Sequence, residues 1–246
     1  MKTVLITGCS SGFGLDTARH FLDRGWKVIA TMRTPDPAVL PSSENLTILP
    51  LDVTDAASIR ALVETAGPID VLVNNAGIGL LNALEGVSLE TIREVFETNV
   101  FGLMAMIQAV LPQFRARKAG VIVNVTSSVT LRSLPLLSVY TGSKAAVNAF
   151  TESLALELEP FGVRVRIVLP GRAPETRFGE NARARIGAIP EAYAELAQKI
   201  FAGWAQDPGG LITLSEDVAE AVWRAATDPA SPMRIPAGAD AVALSA

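Results

Sequence analysis

Two side chains with complementary acid–base chemistry, Tyr140 and Lys144, lie four residues apart at the start of a run with apolar residues at helical spacing. In a helix, residues i and i+4 share one face, so the phenol and the ammonium are expected to be neighbours. A nearby positive charge lowers the pKa of a tyrosine from its usual value of about 10. Ser127 follows the apolar stretch 121–125. The pattern predicts a general acid or base beside a hydroxyl that holds a substrate oxygen. A chance pairing is disfavoured because the chain has only two tyrosines.

A glycine-rich turn follows the first apolar stretch, which is predicted to be a strand over 3–7. A helical pattern over 15–24 comes next. This order can bind the pyrophosphate of a dinucleotide, because glycines allow close backbone approach and a helix N-terminus attracts anions. An unliganded tight turn is the alternative interpretation, and Cys9 is interpreted as a small packing residue. The turn comprises Gly8, Cys9, Ser10, Ser11, Gly12, Phe13 and Gly14.

The end of the second predicted strand, 26–31, bears on the choice of dinucleotide. It is followed by Met32 and Arg33, and the first acid is Asp36. In dinucleotide-binding folds an acid at this place bonds the ribose 2′-hydroxyl of NAD, whereas an arginine accommodates the 2′-phosphate of NADP. Arg33 therefore favours NADP(H), with NAD(H) as the second possibility. A solvated loop arginine is the competing interpretation.

Strands and helices are predicted to alternate along the chain. This alternation predicts an α/β fold, a doubly wound parallel sheet of about seven strands with helices on both faces. We predict one domain over 1–246, with an alanine-rich, apolar region at 172–214 forming a small helical lid over the substrate. Ser215 is the predicted N-cap of the last helix. The further strands are predicted at 46–51, 69–73, 121–125, 163–169 and 232–236, and the further helices at 54–66, 89–117 and 140–159.

Composition restricts the function. The chain has 246 residues, of which 49% are hydrophobic and 19% charged, and a net charge of −4 gives no basic footprint for nucleic acid. The apolar runs are of strand length, which argues against a membrane span. One cysteine excludes an internal disulfide and fits the reducing cytoplasm. With one histidine and one cysteine, we expect no metal site.

Several motifs occur together in a family-like order. The chain resembles a short-chain dehydrogenase/reductase, which implies an NAD(P)-binding Rossmann fold and oxidoreductase activity. Each motif alone is unspecific, but together they cover most of the chain. The matching residues are Thr7-Gly8-x-x-x-Gly12-x-Gly14, Asn74-Asn75-Ala76-Gly77, Asn99, Ser127, Tyr140-x-x-x-Lys144 and Pro170-Gly171.

The resemblance implies roles for four catalytic residues. Tyr140 would be the general acid or base, and Lys144 would lower its pKa and hold the nicotinamide ribose. Ser127 would orient the substrate oxygen, and Asn99 would hold a water in a proton relay. Ser127 is favoured over Ser128 because it lies thirteen residues before the tyrosine and three after Asn124, as in the family.

The resemblance also implies cofactor contacts. Asp52 and Val53 would meet the adenine, while Asn75, Ala76 and Gly77 would line the cofactor cleft together with Pro170 and Gly171.

Two departures from the family pattern matter for the cofactor. Glu175 stands where a threonine usually contacts the nicotinamide carboxamide, so that contact is carried over to Thr176 instead. Ser11 stands before Gly12, where many NADP-using relatives have a basic residue. The phosphate contact is then left to Arg33 and the serines of the turn.

We therefore expect NADPH-dependent reduction of a small, apolar ketone or aldehyde. The main alternative is an NAD-dependent, hydroxysteroid-like secondary-alcohol dehydrogenase. A non-catalytic NADP-sensing regulator and an epimerase or dehydratase of the extended branch are less favoured. The expected partner is a second copy of the chain, in a homodimer or homotetramer built on helices 89–117 and 140–159, with neither nucleic acid nor membrane.

Overall fold

One parallel sheet organises the molecule. The computed structural model describes residues 1–183, 185, 187–206 and 210–245, with the side chains of Arg183, Trp204, Ala205 and Gln206 outside that description. Its seven strands follow the order β3-β2-β1-β4-β5-β6-β7, and all neighbouring strands are parallel. The prediction of a seven-stranded, doubly wound sheet is confirmed. The strands are β1 (Thr3–Ile6), β2 (Lys27–Met32), β3 (Leu46–Pro50), β4 (Val71–Asn74), β5 (Gly120–Val125), β6 (Val163–Pro170) and β7 (Arg234–Ala237).

Helices cover both faces of this sheet, as predicted. Helices α1 and α8 pack on one face, and α2, α4 and α5 pack on the other. The helices are α1 (Gly12–Asp23), α2 (Ala56–Ala66), α3 (Leu89–Phe96), α4 (Gly102–Arg117), α5 (Ser138–Leu158), α6 (Phe178–Arg183), α7 (Ala194–Gln206), α8 (Ser215–Thr227) and α9 (Ala239–Ser245).

The central strands are apolar on both sides because each face carries its own hydrophobic core. In β1, Val4 and Ile6 belong to the core under α1 and α8, whereas Leu5 belongs to the core under α2, α4 and α5. Phe21 anchors the first core and Phe114 the second, and both side chains are fully buried. Each such side chain contributes about 1.5–3 kcal/mol relative to an exposed one.

Three predicted helix features need correction. The predicted helix 89–117 contains a π-helical turn at Glu97–Phe101 between α3 and α4. Helix α5 begins at Ser138, two residues before Tyr140. The prediction that Ser215 caps the last helix is wrong: Leu214 occupies the N-cap of α8, and its N–H donates to the Asp217 carboxylate at 2.9 Å. Ser215 is instead the first residue of α8, and the Asp217 carboxylate in the first turn bonds the N–H of the N-cap residue. Helix α9 follows α8, so α8 is not the last helix.

The combined span Leu89–Arg117 is 29 residues long, with a mean hydropathy of 1.4 in its most apolar window, enough by length and composition to cross a membrane. The sequence argument from strand-length runs overlooked it. In the structure 44% of that window is buried, and α4 packs on the sheet as a core helix. Its apolar character is therefore explained by core packing.

The region 172–214 contains the predicted helical lid. Helix α6, a 3-10 turn at Glu191–Tyr193 and helix α7 follow one another between β6 and α8. Within this region, residues 184, 186 and 207–209 lie outside the described part of the chain.

Candidate functional site

The site lies where the strand order reverses, between β1 and β4. Their carboxyl ends bring the glycine turn beside the segment that contains Asn75 and Ala76. The Thr7 hydroxyl accepts hydrogen bonds from the Asn75 and Ala76 N–H groups, both at 3.0 Å. The Asn75 amide donates to the carbonyls of Thr7 at 3.0 Å and Gly8 at 3.1 Å. Crevices at such reversals bind ligands in open α/β sheets.

The glycine turn has the backbone that an anion site requires. Gly8 and Gly12 have φ of +76° and +57°, a region that favours glycine. A Cβ on Gly14 would lie 2.3 Å from the Gly8 carbonyl oxygen, so only glycine fits there. Ser11 at the N-cap makes no side-chain capping bond within the described structure, which leaves the first N–H groups of α1 directed outward. These residues fit a dinucleotide pyrophosphate.

The remaining residues of the turn divide between surface and core. Ser10 is exposed, and Phe13 packs partly buried against the core beneath α1. Cys9 is fully buried, and its thiol donates to the Ile6 carbonyl at 3.3 Å. Burial raises the pKa of Cys9 to about 12, which confirms its interpretation as a packing residue.

The residues predicted to meet the adenosine part of the cofactor cluster beyond β2 and β3. Arg33 is exposed directly after β2. Hydrogen bonds from Thr54 lower the pKa of Asp52, and the Arg33 guanidinium lowers it further. The Val53 carbonyl packs against Gly102 at the start of α4. The side chains of Arg33 and Asp52 therefore interact electrostatically at the edge of the crevice.

Asn99 lies in the π turn and is almost fully buried. Its side chain accepts from the Ile78 N–H at 2.8 Å and donates to the Ile78 carbonyl at 2.9 Å. It also donates to the Ser143 hydroxyl at 3.1 Å, and Ser143 donates to the Tyr140 carbonyl at 2.7 Å. No local pattern indicated the π turn, which directs Asn99 toward both Ile78 and α5.

Tyr140 and Ser127 meet at the carboxyl end of β5. Both side chains are buried, and the Ser127 hydroxyl is near enough to the Tyr140 phenol to influence its pKa. Burial raises the pKa of Tyr140, and the Ser127 hydroxyl lowers it by less. The expectation of a lowered tyrosine pKa is therefore wrong for this structure, because desolvation outweighs the stabilisation of the phenolate. Ser128 lies in the short 3-10 turn Ser128–Thr130, which accords with its predicted role in shaping the turn.

Lys144 lies on the same helix face as Tyr140, as its spacing predicted. Its ammonium donates to the Val125 carbonyl at 3.2 Å and lies 6.0 Å from the Tyr140 ring centroid. Burial lowers the pKa of Lys144 to about 8. A Cβ on Gly77 would lie 3.3 Å from this ammonium and 3.1 Å from the Asn99 amide oxygen. Gly77, Asn99 and Lys144 thus converge at the inner end of the crevice.

Pro170 and Gly171 are held by residues that the sequence analysis missed. The Gly171 N–H donates to the Thr213 hydroxyl at 2.8 Å, and Thr213 donates to the Asp240 carboxylate at 2.6 Å. A Cβ on Gly171 would lie 2.1 Å from that carboxylate. Pro170 ends β6 and pairs with Ala237 of β7. These contacts join distant parts of the chain, so no local pattern could indicate them.

Thr176 lies over the glycine turn. Its side-chain atoms would lie 3.4 and 3.5 Å from a Cβ on Gly12, and its hydroxyl donates to the Ala173 carbonyl at 2.9 Å. The position is compatible with a cofactor contact near the pyrophosphate cradle.

A polar network that the sequence analysis did not foresee lies beneath the crevice. The Asn74 amide donates to the Asn124 amide oxygen at 2.9 Å, joining the ends of β4 and β5. Asn124 donates in turn to the Thr151 hydroxyl of α5 at 2.9 Å. The sequence did contain a signal for this network, because β4 and β5 are apolar strands that each carry an asparagine at or near their end. The network fixes the helix that carries Tyr140 relative to the sheet.

A cavity of about 430 Å³ adjoins the carboxyl end of β6. It is formed by segments that follow Ser127 and Gly171, together with α7 and α9. The lining residues are Arg132, Arg172, Gly203, Leu211, Asp240, Ala243 and Leu244.

Among the described residues, no group of three or more His, Cys, Asp or Glu side chains could hold a metal ion. The chemistry that the geometry supports is acid–base: a buried phenol near a serine hydroxyl, with an ammonium and a glycine-lined crevice beside it.

Comparison with known proteins shows what this chain is similar to. Residues 2–186 match the family described as short chain dehydrogenase. Human retinol dehydrogenase 8 is 35% identical over 257 residues, covering 95% of this chain and 80% of that protein. The structure of a short-chain dehydrogenase from Streptomyces avermitilis has a TM-score of 0.84 at 33% identity and covers 99% of this chain and 90% of that one. A serine dehydrogenase complexed with NADP+ has a TM-score of 0.80 at 30% identity, covering 96% of this chain and 94% of its own.

Proposed function

The chain belongs to the short-chain dehydrogenase/reductase family of oxidoreductases, and on this premise we propose that it reduces a carbonyl compound to a secondary alcohol with NADPH. The observation that supports this most is the convergence of Tyr140, Ser127 and Lys144 at the inner end of a crevice that fits a dinucleotide. When bound, a reduced nicotinamide dinucleotide supplies a hydride to the carbonyl carbon.

The protein's own residues hold the substrate oxygen and supply the proton. The hydroxyls of Ser127 and Tyr140 are neighbours, so a carbonyl oxygen between them accepts a hydrogen bond from each. Tyr140 then donates its proton to the developing alkoxide. A placed proton donor contributes about 10²–10⁴-fold to the rate. Lys144 holds a positive charge beside this centre at neutral pH, because burial lowers its pKa only to about 8.

The raised pKa of Tyr140 bears on its role as a proton donor. Burial raises its pKa, so the phenol is protonated at neutral pH. A protonated phenol is the form that a proton donor needs, whereas alcohol oxidation needs the phenolate as a base. The reverse reaction would require the pKa of Tyr140 to fall when ligands bind.

An apolar substrate is the second part of the proposal. The aromatic ring of Phe178 lies against the Tyr140 ring, and a small apolar cluster joins a later part of the lid to the segment around Leu81. The relative named retinol dehydrogenase supports an apolar alcohol or carbonyl compound as the substrate class.

Preference for NADPH rests on Arg33, supported by the NADP+ complex of the related serine dehydrogenase. A fluorescence titration with NADPH and with NADH, on wild type and Arg33→Ala, tests it. We expect NADPH to bind more tightly and the variant to lose that preference. Tighter or equal binding of NADH would contradict the proposal and favour an NAD-dependent secondary-alcohol dehydrogenase. Binding of neither dinucleotide would contradict the proposed function as a whole.

Assembly and location complete the proposal. We expect a homodimer or homotetramer through α4 and α5, since Phe101 beside α4 and Leu156 on α5 are 55% and 73% exposed. Sedimentation would test this. The single buried thiol is compatible with the reducing cytoplasm.

A further inference from the structure

The lid places one aromatic ring directly on the proposed general acid. Phe178 is the first residue of α6, and its ring centroid lies 5.6 Å from that of Tyr140, with the planes tilted by 55°. This separation is typical of rings in contact. Phe178 is 38% exposed, so it is only partly covered by the rest of the protein. A ring in that position borders the space in which a substrate must approach the phenol.

Gly79 leaves the space that the Phe178 ring occupies. A Cβ on Gly79 would lie 2.8 Å from Cζ and 2.9 Å from Cε1 of Phe178, and 3.0 Å from Cβ of Ala182. Any larger residue at this position would push the ring or α6 away. Gly79 follows closely after Gly77, which lies beside Lys144. The Phe178 ring therefore packs against the same segment of the chain that lines the crevice.

Further contacts hold the lid over this segment. The Asn82 amide donates to the carbonyls of Gly86 at 3.3 Å and Ala188 at 3.4 Å. A Cβ on Gly86 would lie 2.6 Å from Cδ of Pro190. A small apolar cluster joins the two parts, made of Leu81, Ala83, Leu136, Leu137, Ile189, Tyr193, Ala197 and Ile200. These contacts hold the later part of the lid, from Ala188 to Ile200, against the segment that follows Gly79.

We propose that Phe178 determines substrate specificity, by forming the wall of the substrate pocket beside Tyr140 and limiting the bulk of one substituent on the reacting carbon. The inference rests on the proposed function, because the substrate oxygen must reach the hydroxyls of Tyr140 and Ser127. A carbonyl held there has one substituent directed toward the Phe178 ring. The ring offers an apolar surface, so an apolar substituent that fits the remaining space is accepted and a bulkier one is excluded.

The first test is a kinetic comparison with phenyl ketones of increasing bulk: acetophenone, propiophenone and isobutyrophenone, each with NADPH. Phe178→Ala should raise kcat/KM for isobutyrophenone relative to acetophenone by about tenfold or more, because the two ketones differ by two carbons and a pocket discriminates by at least about tenfold for one methylene. Gly79→Ala should change the ratio in the same direction, because it displaces the ring. Phe201→Ala is the matched control, since Phe201 is a lid phenylalanine of nearly equal exposure, 37%; it should leave the ratio within about twofold.

The second test measures the contact without turnover. N-acetylimidazole acetylates accessible tyrosines, and mass spectrometry of the peptide distinguishes Tyr140 from Tyr193, the only other tyrosine. Phe178→Ala should accelerate acetylation of Tyr140 several-fold, while Phe201→Ala should not.

The outcomes separate this inference from the proposed function. An unchanged bulk ratio in Phe178→Ala, with wild type active and Tyr140→Phe inactive, would overturn the inference alone. Unchanged acetylation of Tyr140 would do the same, because it would show that Phe178 does not cover the phenol. Wild-type protein that turns over none of the ketones, yet shows faster acetylation in Phe178→Ala, would overturn the proposed activity and the specificity role while leaving the contact established.

Discussion

The catalytic crevice and the lid above it are held by different kinds of interaction. In the crevice, the buried Thr7 and Asn99 and the half-buried Asn75 bond the backbone of neighbouring strands and turns. The lid rests on a small apolar cluster, and Arg185 forms an ion pair with Glu94 at 3.3 Å, with side chains 24% and 53% exposed.

The buried hydrogen bonds of the crevice are also worth more free energy than the exposed ion pair of the lid. Leaving a buried hydrogen-bonding group without its partner costs about 1–3 kcal/mol, whereas an exposed ion pair contributes about 0–1 kcal/mol. The crevice is therefore fixed in one geometry, while the lid can change at little cost in stability. We infer that chemistry resides in the rigid region and substrate choice in the adaptable one.

The largest effect is expected from removing the proposed proton donor in the crevice. Tyr140→Phe should lower kcat by about 10³-fold or more, within the range attributed to a placed acid. Dinucleotide affinity should stay within about threefold of wild type, because the ring remains and only the hydroxyl is lost. Steady-state kinetics and fluorescence titration on one preparation would measure both. Activity close to wild type would remove Tyr140 from the mechanism.

A glycine substitution in each region sharpens the comparison. Gly14→Ala should destabilise the protein by about 1–3 kcal/mol and weaken dinucleotide binding, because its Cβ would meet the Gly8 carbonyl at 2.3 Å. Gly203→Ala in lid helix α7 is the matched change, with nothing within 4 Å of the added Cβ among the described atoms. It should stabilise by about 0.5–1 kcal/mol. Urea denaturation would measure both, and equal effects would contradict a rigid crevice.

The pH dependence of dinucleotide binding tests Lys144. Burial lowers the pKa of Lys144 to about 8, so its side chain is charged below that pH and neutral above it. If the ammonium holds the cofactor ribose, affinity should fall as pH rises through about 8, approaching about tenfold for each further unit. Lys144→Arg keeps the charge at all these pH values and should bind with a flat profile. A wild-type profile as flat as that of the variant would argue against this role.

The smallest effect is expected at the edge of the lid. Arg185→Ala removes the ion pair with Glu94 and should change the free energy of unfolding by less than about 0.5 kcal/mol. Limited proteolysis within the lid should nevertheless become faster. Arg234→Ala, which removes an exposed pair with Glu152 outside the lid, is the control and should leave that rate unchanged. A loss of several kcal/mol in Arg185→Ala would show that the lid is as firmly fixed as the crevice.

The parts that could be predicted from the sequence depend on local patterns. Apolar runs predicted the strands, the glycine spacing predicted the turn after β1, and the spacing of Tyr140 and Lys144 placed both on one face of α5. The resemblance identified Ser127, which the structure places in contact with Tyr140.

The parts that failed depend on distant contacts or on burial. The π turn around Asn99 is stabilised by Ile78 and Ser143, which lie far from it in the chain. The pKa of Tyr140 is raised, whereas the sequence predicted a lowered pKa. The sequence shows the charge of Lys144 nearby, but it does not show how deeply the phenol is buried. The link from Gly171 through Thr213 to Asp240 exists only once β6, β7 and α9 are assembled.

The most direct test of the central claim is the fate of a label on the reduced cofactor. NADPH carrying deuterium at C4 of the nicotinamide would be incubated with a ketone that the wild type consumes, and the alcohol analysed by mass spectrometry. We predict that deuterium appears on the carbinol carbon with wild type, and that Tyr140→Phe forms labelled alcohol at least about 10³-fold more slowly. The account would be contradicted if the alcohol stayed unlabelled with both stereospecifically labelled cofactors, one carrying deuterium on each face of C4. Labelled alcohol formed by Tyr140→Phe at the wild-type rate would also contradict it.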